Sequence, residues 1–129
     1  MNISEYLASL ERGLKQNSKV SKLVEPITCF ASDDYNGVLH CRVFFWDESY
    51  LDIHETVSAE LGYPIRIHYA YTYVRKGERV FRYDNAPRHP EIVTHPHHKH
   101  LGPSDHWGPS DQPSLSQILA EIERQTGSI

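Results

Sequence analysis

Apolar residues at Ile3, Leu7, Leu10 and Leu14 recur every three or four positions, which predicts a short amphipathic helix over residues 2 to 15, capped by Asn2 or Ser4. The texture then changes to that of strands. Val24, Ile27, Cys29 and Phe30 lead to a turn signal at Asp33-Asp34-Tyr35-Asn36-Gly37, and Val38 to Trp46 follows it. The Asn-Gly pair favours positive backbone dihedrals, so a hairpin is expected there. Further strands are predicted at Tyr50 to Val57 and Ile65 to Val74, separated by Gly62-Tyr63-Pro64, although Ala59-Glu60-Leu61 also suits a short helix. Arg75-Lys76-Gly77-Glu78 reads as a second hairpin turn, with Arg79 to Asp84 as the returning strand. Behind a Ser114 cap, Leu115, Ile118, Leu119 and Ile122 restore the helical period.

These elements predict one α+β domain over residues 1–129: an antiparallel meander of four or five strands, N- and C-terminal helices on one face, and a long His/Pro-rich loop at 85 to 113. Long loops in compact domains are more often functional than incidental. Period-two bookkeeping turns Leu39, Cys41, Val43, Phe45, Leu51, Ile53 and Val57 one way. The opposite side would carry His40, Arg42, Asp52, His54, Arg66 and His68, with Arg79 or Arg82 beside them. Such a surface is either the solvated side of a half-buried sheet or a seat for a polyanion.

A chain of 129 residues, 39% hydrophobic and 23% charged, supports a single modest core. Its mean hydropathy of -0.56 suits a soluble protein. No apolar run approaches the roughly 18 to 20 residues that span a bilayer. The N-terminus lacks the basic start and apolar block of a secretory signal, so no membrane association and a cytoplasmic location are expected. Cys29 and Cys41 have no C-x-x-C spacing and read as small strand residues. The net charge of -4 gives no general nucleic-acid footprint, but residues 75 to 100 hold six cations against three acids, leaving the remainder at -7.

Six of the nine histidines lie between His89 and His106, where even spreading would put about one. Imidazole changes charge near neutral pH and serves metal coordination or proton transfer. The spacings His95-x-His97 and His98-x-His100 suit ligands, yet no H-E-x-x-H element or cysteine pair accompanies them, and Lys99 and Arg88 would repel a cation. No bound metal and no cofactor are therefore expected, with a metal-dependent nuclease as an alternative. Metal-independent cleavage of RNA needs only a base for the 2'-hydroxyl, an acid for the departing oxygen, and cations for the phosphorane charge. His97, His98 and His100 around Lys99, with Arg82 and Arg88 nearby, supply those residue types. Tyr69, Tyr71, Tyr73, Phe81 and Tyr83 offer rings for stacked bases or for the core. Asp84 would orient an imidazole or bond its own backbone in a turn with Asn85.

Arg82-Tyr83-Asp84-Asn85-Ala86-Pro87, then His89-Pro90-Glu91, then His95-Pro96-His97-His98-Lys99-His100, resembles the R-Y-D-N-A-P-H-H-P-E and P-H-H-K-H signatures of the TumE-like toxin family. The order of elements matches as well, so the resemblance spans most of the chain. It implies the toxin half of a two-gene toxin-antitoxin module, neutralised by a cognate helix-turn-helix antitoxin, with ribonuclease action on RNA as the expected activity. Arg88 stands where the family's first His of H-H-P is expected, whereas Asp84, Asn85, His89, His97, His98, Lys99 and His100 match. The reading is a translation-blocking endoribonuclease. In it one of His97, His98 or His100 is the base and another, or His89, the acid, while Asp84 fixes a tautomer. Arg82, Arg88 and Lys99 would hold phosphate, with Arg79, Arg66, Arg42 and His68 along the RNA path. A non-catalytic module docking a partner protein is the competing class, and a homodimer fits either.

Overall fold

The computed structural model describes residues 1–17, 21–87, 90–104 and 106–126. Helix α1 (Ile3–Gln16) is followed by β1 (Ser21–Val24), β2 (Thr28–Ala31), β3 (Asn36–Phe45), β4 (Tyr50–Ser58), β5 (Ile65–Arg75), β6 (Glu78–Asp84), β7 (His98–Leu101), β8 (His106–Pro109) and α2 (Leu115–Thr126). The sheet runs β1-β3-β4-β5-β6-β7-β8, every pair antiparallel, with β2 also on β3. The edge next to β3 is thus two short strands laid end to end, β2 against residues 37–40 and β1 against 43–45.

The expected four or five strands are too few. The surplus comes from that divided edge and from β7 and β8, which form a hairpin inside the segment expected to be one long loop. Its four-residue strands, bounded by Pro96, Pro103 and Pro109, are too short for hydrophobic periodicity to stand out.

Both helices start where capping chemistry puts them. The Asn2 side chain accepts from the Glu5 amide at 2.9 Å, and Ser114 and Gln117 bond each other's backbone amides reciprocally at 2.9 and 3.1 Å. Ile3 and Leu14 from α1, and Ile118, Leu119 and Ile122 from α2, join one core with Leu39, Cys41, Val43, Phe45, Leu51, Ile53 and Val57. Tyr69, Tyr71, Tyr73 and Phe81 belong to the same core, so these rings are structural and offer no platform for bases. Cys29 and Cys41 are free strand residues, Cys41 buried. Helices therefore cover one face, and the other stays open.

The turns differ in one detail from expectation. Lys76 and Gly77 both take positive φ, which makes the β5–β6 hairpin the tight type with two left-handed residues. The β2–β3 turn lies at residues 32–35 instead, where the Asp33 carboxylate accepts the Tyr35 and Asn36 amides at 2.8 Å each. Asn36 and Gly37 already belong to β3. Gly37 is needed for space, since a Cβ there would sit 3.1 Å from Ile3 and 3.2 Å from the Cys29 sulfur.

A bulge in β5 changes which side chains share a face. Thr56 pairs with His68 but Val57 pairs with Arg66, leaving Ile67 as the extra residue. Asn85 clamps this irregularity, accepting the Tyr69 amide at 2.9 Å and donating to the Ile67 carbonyl at 2.9 Å. His68 keeps the alternation of Ala70 and Thr72 and lies on the open face, whereas the extra residue turns Arg66 to the covered one, so the expected grouping of Arg66 with His68 fails.

Candidate active site

On the open face, two neighbouring antiparallel pairs each hold two histidines, one aspartate and one arginine. The first patch joins β3 and β4, with His40 opposite His54 and Arg42 opposite Asp52. The Asp52 carboxylate lies 2.7 Å from His40 Nε2, 3.0 Å from His54 Nε2 and 3.2 Å from Arg42 Nε. The two imidazoles stack with centroids 4.1 Å apart and planes 10° apart. Arg42 also lies over the Tyr50 ring at 4.2 Å. Burial pushes the Asp52 carboxyl up, but hydrogen bonds from His40 and Arg42 and the charges of His40 and His54 outweigh it, so its pKa falls below the ordinary value.

The second patch joins β6 and β7, with Asp84 opposite His98 and Arg82 opposite His100. Asp84 Oδ1 is 2.8 Å from His98 Nε2, and Oδ2 is 3.2 Å from His100 Nε2 and 3.1 Å from Arg82 Nε. Oδ1 also accepts the Ala86 amide at 3.1 Å, so Asp84 makes its own turn while touching both rings. His98 Nδ1 faces the Pro96 carbonyl oxygen at 2.9 Å, so both its ring nitrogens meet oxygens. The His98 side chain is fully enclosed, at 0% exposure. Burial, then the neighbouring charges of His98, Arg79 and Arg82, lower the His100 pKa against the opposing pull of Asp84.

The patches are separated only by β5. His54 pairs with Ala70, which pairs with Asp84, and Asp52 pairs with Thr72, which pairs with Arg82. Two sheet spacings make the gap about 10 Å wide. Its floor is small side chains, and a cleft of about 290 Å³ opens there, lined in part by His54, Thr56, His68, Ala70, Arg82 and Asp84.

The histidine-rich segment is therefore divided by strand alternation. His98 and His100 turn to the open face with Asp84 and Arg82. Lys99, between them, turns to the covered face, where its ammonium donates to Glu121 at 2.8 Å and lies 4.8 Å from the Tyr83 ring centre. Burial works against that charge, but the hydrogen bonds with Glu121 and Tyr83 win and raise its pKa. His97 takes a third position, its Nδ1 2.8 Å from the Tyr69 hydroxyl and its ring stacked on Tyr69. Burial and the Arg66 charge lower the His97 pKa, while burial raises that of Tyr69 to about 12. The expected convergence of His97, His98, His100 and Lys99 around one linkage is thus reduced to His98 and His100.

Other expected residues scatter similarly. Arg66 donates to the Tyr71 hydroxyl at 2.7 Å, within a covered-face network in which Tyr6 and Tyr71 both donate to buried Glu55. Arg79 holds the β7–β8 turn, donating to the carbonyls of Gly102 at 2.9 Å and Ser104 at 2.7 Å. Arg88 and His89 lie outside the described residues. The sequence pattern places Asp52 and His54 on the polar sheet side without pointing to a role for either. Their signal was the period-two alternation of β3 and β4, which is correct for both.

Three ligand atoms converge in each patch closely enough for a metal ion: His40, Asp52 and His54 in one, Asp84, His98 and His100 in the other. In both, an arginine already bonds the carboxylate.

The cleft on the open face thus offers a ligand imidazoles, a carboxylate and a guanidinium, which are both hydrogen-bond donors and acceptors. The chain belongs to the TumE toxin family, whose model, described as Toxin TumE, matches residues 12–126. For a toxin of this kind an antitoxin is the expected partner. No curated protein and no solved structure gave a significant match. No helix among the described residues is long and apolar enough to cross a membrane.

Proposed function

We propose that this toxin belongs to a type II toxin-antitoxin module and acts as a metal-independent endoribonuclease that stops translation by cleaving RNA. The observation that carries the reading is the Asp84 carboxylate held between His98, His100 and Arg82 in the wall of a cleft wide enough for a phosphodiester. RNA brings its own nucleophile, so a site needs proton transfer and a fixed cation more than it needs an activated water. Arg82 is that cation, anchored through Nε to Asp84. Asp84, braced from behind by His98 and His100, fixes the direction of the guanidinium. Lys99, on the covered side, holds α2 to the sheet through Glu121. A helix-turn-helix antitoxin would neutralise the protein by covering the open face.

A metal-dependent nuclease is the second reading, because Asp84, His98 and His100 present a carboxylate and two imidazoles to one point. A divalent ion there would have to displace Arg82 from Oδ2. Incubation of the purified protein with end-labelled RNA in EDTA separates the two. Cleavage in EDTA, leaving 2',3'-cyclic phosphate ends and sparing DNA of the same sequence, is expected. Cleavage that appears only with an added divalent ion supports the second reading, and none under either condition leaves a toxin that works by binding.

A further inference from the structure

His98 and His100 stand behind Asp84, and with His98 at 0% exposure no substrate proton can reach it in this conformation. The imidazoles on the cleft itself are His54 and His68, both exposed. They sit on adjacent strands as diagonal neighbours, because His54 pairs with Ala70 and Thr56 with His68. Diagonal positions on one face are roughly 7–8 Å apart, a span that admits one phosphate between two rings.

We propose that His54 and His68 are the proton-transfer pair of the RNA cleavage described above, His54 as base and His68 as acid; the assignment rests on the ribonuclease reading. Asp52 decides the roles. Its Oδ2 lies 3.0 Å from His54 Nε2, so the carboxylate takes the Nε2–H and leaves Nδ1 as the proton acceptor, with His40 stacked alongside to hold the ring plane. His68 makes no such carboxylate contact among the described residues and is free to deliver a proton. In the reaction the 2'-hydroxyl proton passes to His54 Nδ1 while the 2'-oxygen attacks phosphorus. The bond from phosphorus to the 5'-oxygen breaks, and that oxygen takes the proton of His68. The products are a 2',3'-cyclic phosphate and a 5'-hydroxyl, with Arg82 facing the phosphorane charge. Asn85 acts at a distance, since its bonds to the Ile67 carbonyl and the Tyr69 amide hold the backbone on either side of His68.

The experiment compares wild type, His54→Ala and His68→Ala on an oligoribonucleotide and on a uridine 3'-(4-nitrophenyl phosphate) ester, whose departing phenolate needs no proton. Each variant should lose about 100-fold or more on the oligonucleotide. On the ester, His68→Ala should recover most of the wild-type rate and His54→Ala should not. Both sites are exposed, and unchanged urea midpoints would show that the variants fold. If wild type cleaves RNA and both variants keep its rate, the pair is overturned while the ribonuclease reading stands. Recovery of His54→Ala instead of His68→Ala on the ester overturns the assignment of base and acid. A wild type that leaves both substrates intact removes the reaction itself, and both conclusions fall together.

Discussion

The two patches on the open face each set two histidines, an aspartate and an arginine on a two-by-two grid, yet they are different physical objects. Around Asp52, the histidine side chains remain 43% and 54% exposed, so water screens the charges and each ring keeps an edge toward solvent. Around Asp84, the carboxylate and His100 are nearly enclosed, and His98 loses all contact with water. Equal composition does not mean equal role. The enclosed patch is placed to brace a carboxylate and an arginine, while the exposed one can exchange protons with a ligand. Burial converts an ion pair from a weak contributor into one whose breakage is costly.

That contrast is breakable by mutation. Asp84→Ala strands the enclosed His98 and the nearly enclosed His100 without their carboxylate and is expected to lower stability by about 3–5 kcal/mol, read from the urea midpoint. A loss under about 1 kcal/mol would show that the patch is wet and that the distinction between the two is wrong. Asn85→Ala removes two hydrogen bonds that satisfy bulged backbone and should cost about 1–3 kcal/mol. It should also slow RNA cleavage per folded molecule by displacing His68, whereas a purely structural Asn85 would leave that rate alone. Lys99→Met leaves Glu121 with the Tyr83 hydroxyl as its remaining strong donor and should cost about 1–2 kcal/mol, with cleavage per folded molecule unchanged. Loss of cleavage in a stable Lys99→Met would return that ammonium to the site.

The exposed patch should respond in the opposite sense. Asp52→Asn is expected to change stability by no more than about 1 kcal/mol, because its partners are half in solvent. It should lower kcat with KM nearly unchanged, since it misorients the base without touching the phosphate. An equal rise in KM would mean that Asp52 acts in binding.

The smallest expected effect is in the pH dependence of stability. His97 and His100 titrate lower in the folded protein than their ordinary 6.5, both through burial first. The unfolded chain therefore binds more protons in that interval, so stability is complete above about 6.5 and declines as pH falls through the folded values. Asp52, also lowered, adds its own loss only below about 3.8. Urea midpoints taken from pH 7.5 to pH 5 should fall, and His100→Gln should flatten the slope.

How far the chain could be read in advance depended on the length of each pattern. Fourteen residues of α1 and ten of β3 repeat their periods enough times to be unambiguous. The four-residue strands β7 and β8 do not, and so His98, Lys99 and His100 read as a loop cluster when strand alternation in fact sends Lys99 to the other side. A single added residue at Ile67 did similar damage, because shifting a strand by one position exchanges its faces. The R-Y-D-N motif was visible, but the jobs of Asp84 and Asn85 were not. They act on strands 14 to 18 residues away, and no local pattern encodes such a contact.

Local physics decided a great deal about this toxin: its caps, its long strands, its covered and open faces, and its family, since all of these follow from side-chain chemistry repeated over neighbouring residues. Only the folded molecule decided which histidines are sealed, which face the cleft, and which lysine serves a helix. Burial and facing are properties of whatever packs across the sheet, and those partners come from distant parts of the chain.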